Sequence, residues 1–338
     1  MNIYFNRCFT QTAKVIELLQ NNPNGEKFTI FISHSSPNNY LEAVADHFEI
    51  EPKLSGQEYV DYILQFCRTH NIDVFIPRKN MELLAKHQDE FEKIGVKTLF
   101  IGTEEIYTLL NDKVATYQDL EGTDIVKIPS TYTITTYEEF QKAYEEITSM
   151  GEVACMKPIS GIGGDGFKII RENVSEVDEL YTTTGANIAK SRVDRVLQSV
   201  DNIEPFMMSV FMEDEEYSID CLGKDGELIV GVPRRKIDRY RNNIEYREEL
   251  MEIARQLTKR YNLSALYNIQ VRYHKGEPYL IEINTRMSGG MYKSCFAGVN
   301  FPYLAVQALR GEDVKAPDTL HYDFQMYMTN HFEFKALK

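Results

Sequence analysis

YNIQVRYHKGEPYLIEINTRMSGG, residues 267–290, reads as two strands joined by a short turn, then a loop that gives up its side chains. Leu280, Ile281 and Ile283 look buried, yet Glu282 and Asn284 interrupt them and Arg286 follows, before Ser288-Gly289-Gly290. Period-two alternation puts Gln270 and Arg272 on one face of the first run, and Glu282 and Asn284 on one face of the second. A three-residue loop, Lys275-Gly276-Glu277, would set Gln270 opposite Glu282; two or four residues would set them on opposite faces. If the faces agree, an amide, a carboxylate and a second amide converge. Mg2+ prefers a few such oxygens together with water and phosphates. Arg286 then stands where charge on a transferring phosphoryl group must be stabilised. Isolated Glu and Asn on an edge hairpin usually face water, but the apolar residues between them and the glycines after them favour a metal site.

The rest of the chain sets the bounds. Its 338 residues suggest two or three domains or subdomains. Acidic residues outnumber basic ones, 51 to 37, for a net charge of -14, which argues against a nucleic-acid surface while leaving room for a local anion pocket. Five widely spaced cysteines without a CxxC pair fit reduced thiols in a cytoplasmic protein better than a zinc knuckle or disulfide framework. No run approaches the apolar length of a membrane span, and the start lacks a signal-peptide pattern.

Residues 1–105 alternate strands and helices: MNIYF, TAKVIELLQ, KFTIFIS, YVDYILQFCRTH, IDVFIP, MELLAKHQDEFEKIG and VKTLFIG. That rhythm implies a small doubly wound, Rossmann-like α/β domain with a parallel sheet. From 106 the texture changes to segregated strands and helices, the mark of an α+β domain on antiparallel sheet. Two subdomains are expected, 106–205 with a glycine-rich loop and 206–338 with the metal hairpin.

That loop is GIGGDG, Gly161 to Gly166, with four glycines in six residues. It matches GxGxxG, but a dinucleotide-binding loop must open a helix, and here FKII reads as strand. No GK[ST] follows, so it is not a P-loop. What remains is a flap between antiparallel strands, Gly161, Gly163, Gly164 and Gly166 baring amide N–H groups to a polyphosphate, after a strand carrying Lys157.

Together these pieces resemble the ATP-grasp superfamily, its carbamoyl-phosphate-synthetase-like subgroup above all. The likeness runs from Lys113 to about Glu312 through NDK (111–113), CMKP (155–158), the flap, EYSID (216–220), NIQVRY…YLIEINTRMSGG and AGVNFPYLAVQALRGE (297–312). The first domain resembles the one that usually precedes this fold. The resemblance implies that Lys113 and Lys157 bind ATP phosphates, Glu216 takes the ribose hydroxyls, and Gln270, Glu282 and Asn284 hold Mg2+ (or Mn2+), with Arg286 on the γ-phosphoryl group. Where the family usually has acidic adenine-hinge residues, MMSVFMED carries Ser209 and Val210.

The chemistry implied is activation of a small-molecule carboxylate as an acyl phosphate, followed by attack of an amine or thiol. Alternatives on the same fold are a non-catalytic ATP-binding regulator and a phosphotransferase. Carbamoyl phosphate synthesis itself is disfavoured, because only one such ATP site is seen. GVPRRKIDRYR crowds Arg234, Arg235, Lys236, Arg239 and Arg241 into eight residues. Arginine forks suit carboxylate or phosphate, so Arg234 or Arg235 is expected at the acyl substrate, Arg235 taken as catalytic. Ser288 and Lys293 are candidates for the substrate wall, and Cys295 reads as a packing residue. A homodimer is the default assembly.

Overall fold

The computed structural model describes residues 1–37, 40–159, 165–175, 177, 185–238 and 240–329. The chain packs as two compact units. The first joins Met1–Asn111, Glu215–Val271 and Ile281–Lys338; the second joins Asp112–Asp214 and Arg272–Leu280.

In the first unit, β1 (Asn2–Asn6), β2 (Thr29–His34), β3 (His47–Ile50), β4 (Val74–Ile76) and β5 (Lys97–Thr98) form a sheet of order β3-β2-β1-β4-β5. Every pairing in it is parallel. Such sheets are covered on both faces, so their central strands are continuous apolar runs. Ile3-Tyr4-Phe5, Ile30-Phe31-Ile32 and Val74-Phe75-Ile76 are all buried. The helices Thr12–Gln20 and Gly56–Thr69 turn apolar stripes onto them.

Two local expectations are corrected. MELLAKHQDEFEKIG is two short helices, Met81–Ala85 and Gln88–Lys93. The His87 N–H bonds back to the Leu84 carbonyl at 3.0 Å, an i−3 closure that ends the first, and the His87 ring pairs with Glu90 at 2.6 Å at the start of the second. VKTLFIG contributes only the two residues of β5, and the exposed edge strand β3 carries too little apolar signal to be read from sequence.

The same unit contains a second sheet, β15-β14-β11-β12-β13-β16. Its strands are β11 (Glu216–Lys224), β12 (Glu227–Lys236), β13 (Arg241–Ile244), β14 (Ala265–His274), β15 (Glu277–Asn284) and β16 (Phe324–Tyr327). Helix Glu248–Arg260 covers one face: Met251 lies where a Cβ on Gly231 would stand, and the hydroxyls of Thr258 and Tyr267 meet. Leu222, Val230 and Val232 share a core with Met291, Phe301, Ile3, Ile16 and Ile30, so the N-terminal sheet and this one are built on one apolar cluster.

The second unit holds β6 (Thr131–Ile134), β7 (Ala154–Pro158), β8 (Lys168–Arg171), β9 (Asn187–Ala189) and β10 (Phe206–Val210), ordered β6-β10-β7-β8-β9. Helices Tyr137–Ser149 and Lys190–Gln198 pack on one face over Ile134, Met156, Ile170 and Met208. A capping box between Thr136 and Glu139 starts the first of them. The hairpin tip Arg272–Leu280 belongs here: Leu280 N–H donates to the Lys127 carbonyl at 2.9 Å, and Tyr117 OH donates to the Leu280 carbonyl at 3.1 Å.

A charged clamp fastens the N-terminal part of the first unit to helix Phe301–Leu309: Arg310 and Tyr303 both bond Glu26. Arg310, then Tyr303, hold the Glu26 carboxyl down at about 2, from 4.5. A carboxylate depressed in the fold contributes stability that is fully present above its unfolded range and lost as pH falls through the folded value. The two side chains are 25% and 29% exposed, so the contribution is discounted to about 1 kcal/mol. Glu26→Gln is therefore expected to lower the unfolding free energy at neutral pH by that amount. In urea titrations the gap to the parent protein should close between pH 4.5 and about 2; a gap constant across that window would remove the clamp from the stability account.

Candidate functional site

Register decides which side chains meet. β11 and β12 pair with Ser218 opposite Arg234, Glu216 opposite Lys236 and Tyr217 opposite Arg235. Directly opposed residues share a face. Arg234, Lys236, Glu216, Ser218 and Asp220 therefore lie on one side, and Arg235 lies on the other with Tyr217. There Arg235 pairs with Glu245 at 3.0 Å and Glu215 at 3.4 Å. Arg235, expected at the substrate, is turned away from this face by a single step of the pleat; its neighbour Arg234 is the arginine presented.

The turn between β14 and β15 is Lys275-Gly276, two residues at φ 50° and 80°, where three were required for Gln270 to face Glu282. Strict pairing from that turn would put Gln270 against Ile281. Deeper in the hairpin, however, Asn284 Nδ2 donates to Asn268 Oδ1 at 3.3 Å and to Glu282 Oε1 at 3.1 Å. Asn268 in turn donates to Asp220 at 2.8 Å. Asn268, Glu282 and Asn284 thus share the face of Asp220, and alternation along β14 brings Gln270 to it. Those side-chain contacts, rather than the loop length, join Asn268 to Glu282 and Asn284.

Beneath this row lies Asp220, with no exposed surface. Its carboxylate accepts hydrogen bonds from Ser288 Oγ at 2.7 Å, Ser294 Oγ at 2.6 Å and Asn268 Nδ2 at 2.8 Å, and Arg234 Nη2 stands 3.5 Å away. Arg234 also donates to Asn242 Oδ1 at 3.0 Å. A Cβ on Gly290 would fall 2.5 Å from Arg234 Nη2. The loop 287–290 gives up a side chain there because a buried guanidinium occupies the space. Sequence reading missed Asp220, Asn268, Ser294 and Asn242; the signal available was a carboxylate inside the apolar run SIDCL.

Cations gather around the same loop. Burial draws Arg286 below its ordinary value, and Glu282 opposes that. Burial, and next the Arg234 guanidinium, lower Lys293, with Asp220 pulling the other way. Glu216, half-buried, lies 3.7 Å from Lys236 on this face. Cys295 is pushed up to about 12 by burial, which fits a packing role rather than a nucleophile.

In the second unit, Lys113 opens helix Lys113–Leu120 behind the cap Asp112, whose carboxylate accepts the Ala115 N–H at 3.0 Å. Lys157 on β7 is paired with Met207 of β10, on the face opposite the two helices. Cys155 and Ser209, a residue pair on, share that face, 3.5 Å apart. β7 and β8 are antiparallel, as the flap reading requires. Gly161, Gly163 and Gly164 lie outside the described residues. Gly166 sits at φ +73°, where a Cβ would stand 2.7 Å from the Pro158 ring, so only glycine suits the position.

Residues 202–332 match the family described as ATP-grasp in the biosynthetic pathway with Ter operon, and residues 5–99 match the PylC-like N-terminal domain. Residues 202–332, well under half of the chain, thus carry the likeness to ATP-grasp proteins. Among relatives, the carbamoyl phosphate synthase large chain of Clostridium acetobutylicum is 24% identical over 295 residues, 82% of this chain and 26% of that one. The phosphoribosylamine–glycine ligase of Methanosphaera stadtmanae is 25% identical over 173 residues, 51% of this chain and 36% of that one. The chain thus spans about a quarter of the length of the synthase it matches. Among solved structures, the biotin carboxylase domain dimer of Hydrogenobacter thermophilus 2-oxoglutarate carboxylase, in complex with MgADP, ADP and bicarbonate, superposes with a TM-score of 0.64. It is 15% identical, covering 96% of this chain and 73% of that one, a likeness of fold.

Within the segment that matches the ATP-grasp model, then, the hairpin that the sequence singled out is seated on a buried carboxylate, and Gly290 sets how closely its loop can approach. Gly290→Ala should displace Arg234 and cost about 1–3 kcal/mol in denaturant unfolding. The control is Gly289→Ala, whose Cβ would meet only the Gln11 side chain, at 3.6 Å, and should cost less than about 1 kcal/mol. Equal costs at both positions would mean that Arg234 gives way freely.

Proposed function

We propose that this protein is a Mg-ATP-dependent ATP-grasp ligase: it activates a small-molecule carboxylate as an acyl phosphate, which an amine or thiol then attacks. The observation that carries the reading is the hydrogen-bonded set Asn268, Glu282 and Asn284, to which alternation along β14 adds Gln270, followed by the half-buried Arg286. A binding protein has no need of a guanidinium beside the metal donors; a phosphoryl-transfer enzyme does.

The donor set fits Mg2+. Glu282 offers hard carboxylate oxygens, and the hydrogen bonds from Asn284 Nδ2 to Glu282 and Asn268 orient its amide so that Oδ1 can ligate. Gln270 supplies the other amide oxygen. Among the described residues no three His, Cys, Asp or Glu side chains group as a metal site, so no rival cluster competes. When bound, the ion supplies charge neutralisation for the polyphosphate. Lys113 and Lys157 would take ATP phosphates, and Glu216 would accept from the ribose. Backbone groups near Ser209 and Val210 would read the adenine.

The reaction is positional. A carboxylate oxygen attacks the γ-phosphorus, the bond to the β–γ bridging oxygen breaks, and ADP leaves; Arg286 stabilises the charge spread over the transferring group. The amine or thiol then attacks the acyl carbon and inorganic phosphate departs. Arg234, held by Asp220 and Asn242, fixes the loop from which Arg286 and Ser288 project.

Hydroxylamine traps acyl phosphates. With MgATP and a panel of carboxylic acids, ADP release with hydroxamate is expected for at least one acid, and Glu282→Gln should reduce it at least about 100-fold. Arg234→Ala should cut turnover about 10-fold or more, whereas Arg235→Ala on the opposite face should stay within about 3-fold. MgATP binding without ADP release for any acid would favour a regulator; a stable phosphorylated product would favour a phosphotransferase.

A further inference from the structure

The Rossmann-like sheet has a topological switch between β1 and β4: β1 pairs β2 on one side and β4 on the other, all parallel. Ligands of open α/β sheets bind beyond the carboxyl ends of the strands at such a point. On the β2 side, Arg7 pairs with Glu51, which also accepts from Ser33 at 2.7 Å, so that half of the crevice is filled by the protein's own ion pair. The turn after β1, Arg7-Cys8-Phe9-Thr10, also has no glycine for a pyrophosphate. On the β4 side the chain presents Arg78.

Arg78 is 4% exposed. Asn6, fully buried at the end of β1, anchors it: Asn6 Oδ1 accepts the Arg78 N–H at 2.7 Å, while Asn6 Nδ2 donates to Tyr59 OH at 2.8 Å and to the Lys79 carbonyl at 3.0 Å. The Arg78 guanidinium donates from Nη1 to the Met287 carbonyl at 3.2 Å, and its Nε is buried without an acceptor. Three other described arginines bury an Nε in the same way, but each has a carboxylate: Arg234 has Asp220, Arg235 has Glu245, and Arg310 has Glu26. Arg78 has none. The charged groups felt by it are the Cys8 thiol, itself pushed up to about 12 by burial and so neutral, and the Arg286 guanidinium. Burial draws Arg78 down to about 10, and Arg286 adds to that.

The buried Arg78 guanidinium near the half-buried one of Arg286, whose charge Glu282 opposes, is unfavourable unless an anion completes the pair. We propose that Arg78 is a substrate-binding residue: together with Arg286 it takes the carboxylate to be activated, at the carboxyl edge of β4. The forked N–H groups of arginine match a carboxylate in two hydrogen bonds. The identity of the anion as the acyl substrate rests on the ligase reading; the existence of an anion pocket at Arg78 does not.

The test compares the parent protein with Arg78→Met, which keeps the apolar stem, and Arg78→Lys, which keeps the charge without the fork. For the acid that supports hydroxamate formation, the Michaelis constant should rise about 10- to 100-fold in Arg78→Met, with that for MgATP changed less than about 2-fold. Arg78→Lys should fall between. An unchanged carboxylate constant overturns the assignment while leaving the ligase reading intact. If no acid supports turnover, thermal unfolding without nucleotide decides: acetate, bicarbonate, L-glutamate and inorganic phosphate are each titrated against all three proteins. A rise in melting temperature in the parent protein that Arg78→Met lacks supports the pocket. Equal responses, or none in any protein, overturn it.

Discussion

Everything at the site leans on one buried carboxylate. Asp220 has no contact with solvent, and its two oxygens take donors from four places in the first unit: β14 through Asn268, the loop after β15 through Ser288, the short helix Met291–Ser294 through Ser294, and β12 through Arg234. A carboxylate can be kept charged in the interior when its lone pairs are met in this way, and each partner is then held to a narrow range of positions. The chain behind Asp220 explains the row in front of it. Asn268 orients Asn284, Asn284 orients Glu282, and the serines hold the loop that carries Arg286.

The second constraint is the pleat. Arg234 and Arg235 are neighbours of identical chemistry, and both look equally suited to a substrate anion. Alternation separates them completely: one joins Asp220, and the other joins Glu245 and Tyr217 under helix Glu248–Arg260. The same parity governs the hairpin. The loop-length rule would part Gln270 from Glu282, yet Asn284 bonds Asn268 across the hairpin. No local sequence rule announces that contact.

That contrast marks what could be read in advance. The parallel domain was legible because VFI, IFI and IYF are apolar runs between helices of clear 3.6 period, and the antiparallel pairing of β7 with β8 because a glycine cluster lies between them. Glu282, Asn284 and Arg286 were singled out because polar residues interrupt apolar ones at period two, and Asn284 bonds Glu282. The choice between Arg234 and Arg235 was not, since it rests on cross-strand register set by contacts far apart in sequence. Asp220 and Arg78 were illegible for a different reason. One lies inside an apolar strand and the other just past the end of one, and only three-dimensional packing reveals that Asp220 is saturated with donors while Arg78 buries an Nε without an acceptor.

The charge distribution gives those two residues a common meaning. The chain is acidic overall, at -14, yet around the loop 287–290 the first unit gathers Arg78, Arg234, Arg286 and Lys293 against Asp220 and Glu282. Of these cations Arg78 and Arg234 are buried and Arg286 and Lys293 half-buried, so positive charge gathers where water is partly excluded. Burial lowers Arg78, Arg286 and Lys293, the direction expected when cations are desolvated faster than they are neutralised. An acidic exterior repels anions in general, while a desolvated positive pocket binds those that fit it, and the contrast selects for shape as well as charge. The field that destabilises the empty pocket is the one an anionic substrate would relieve.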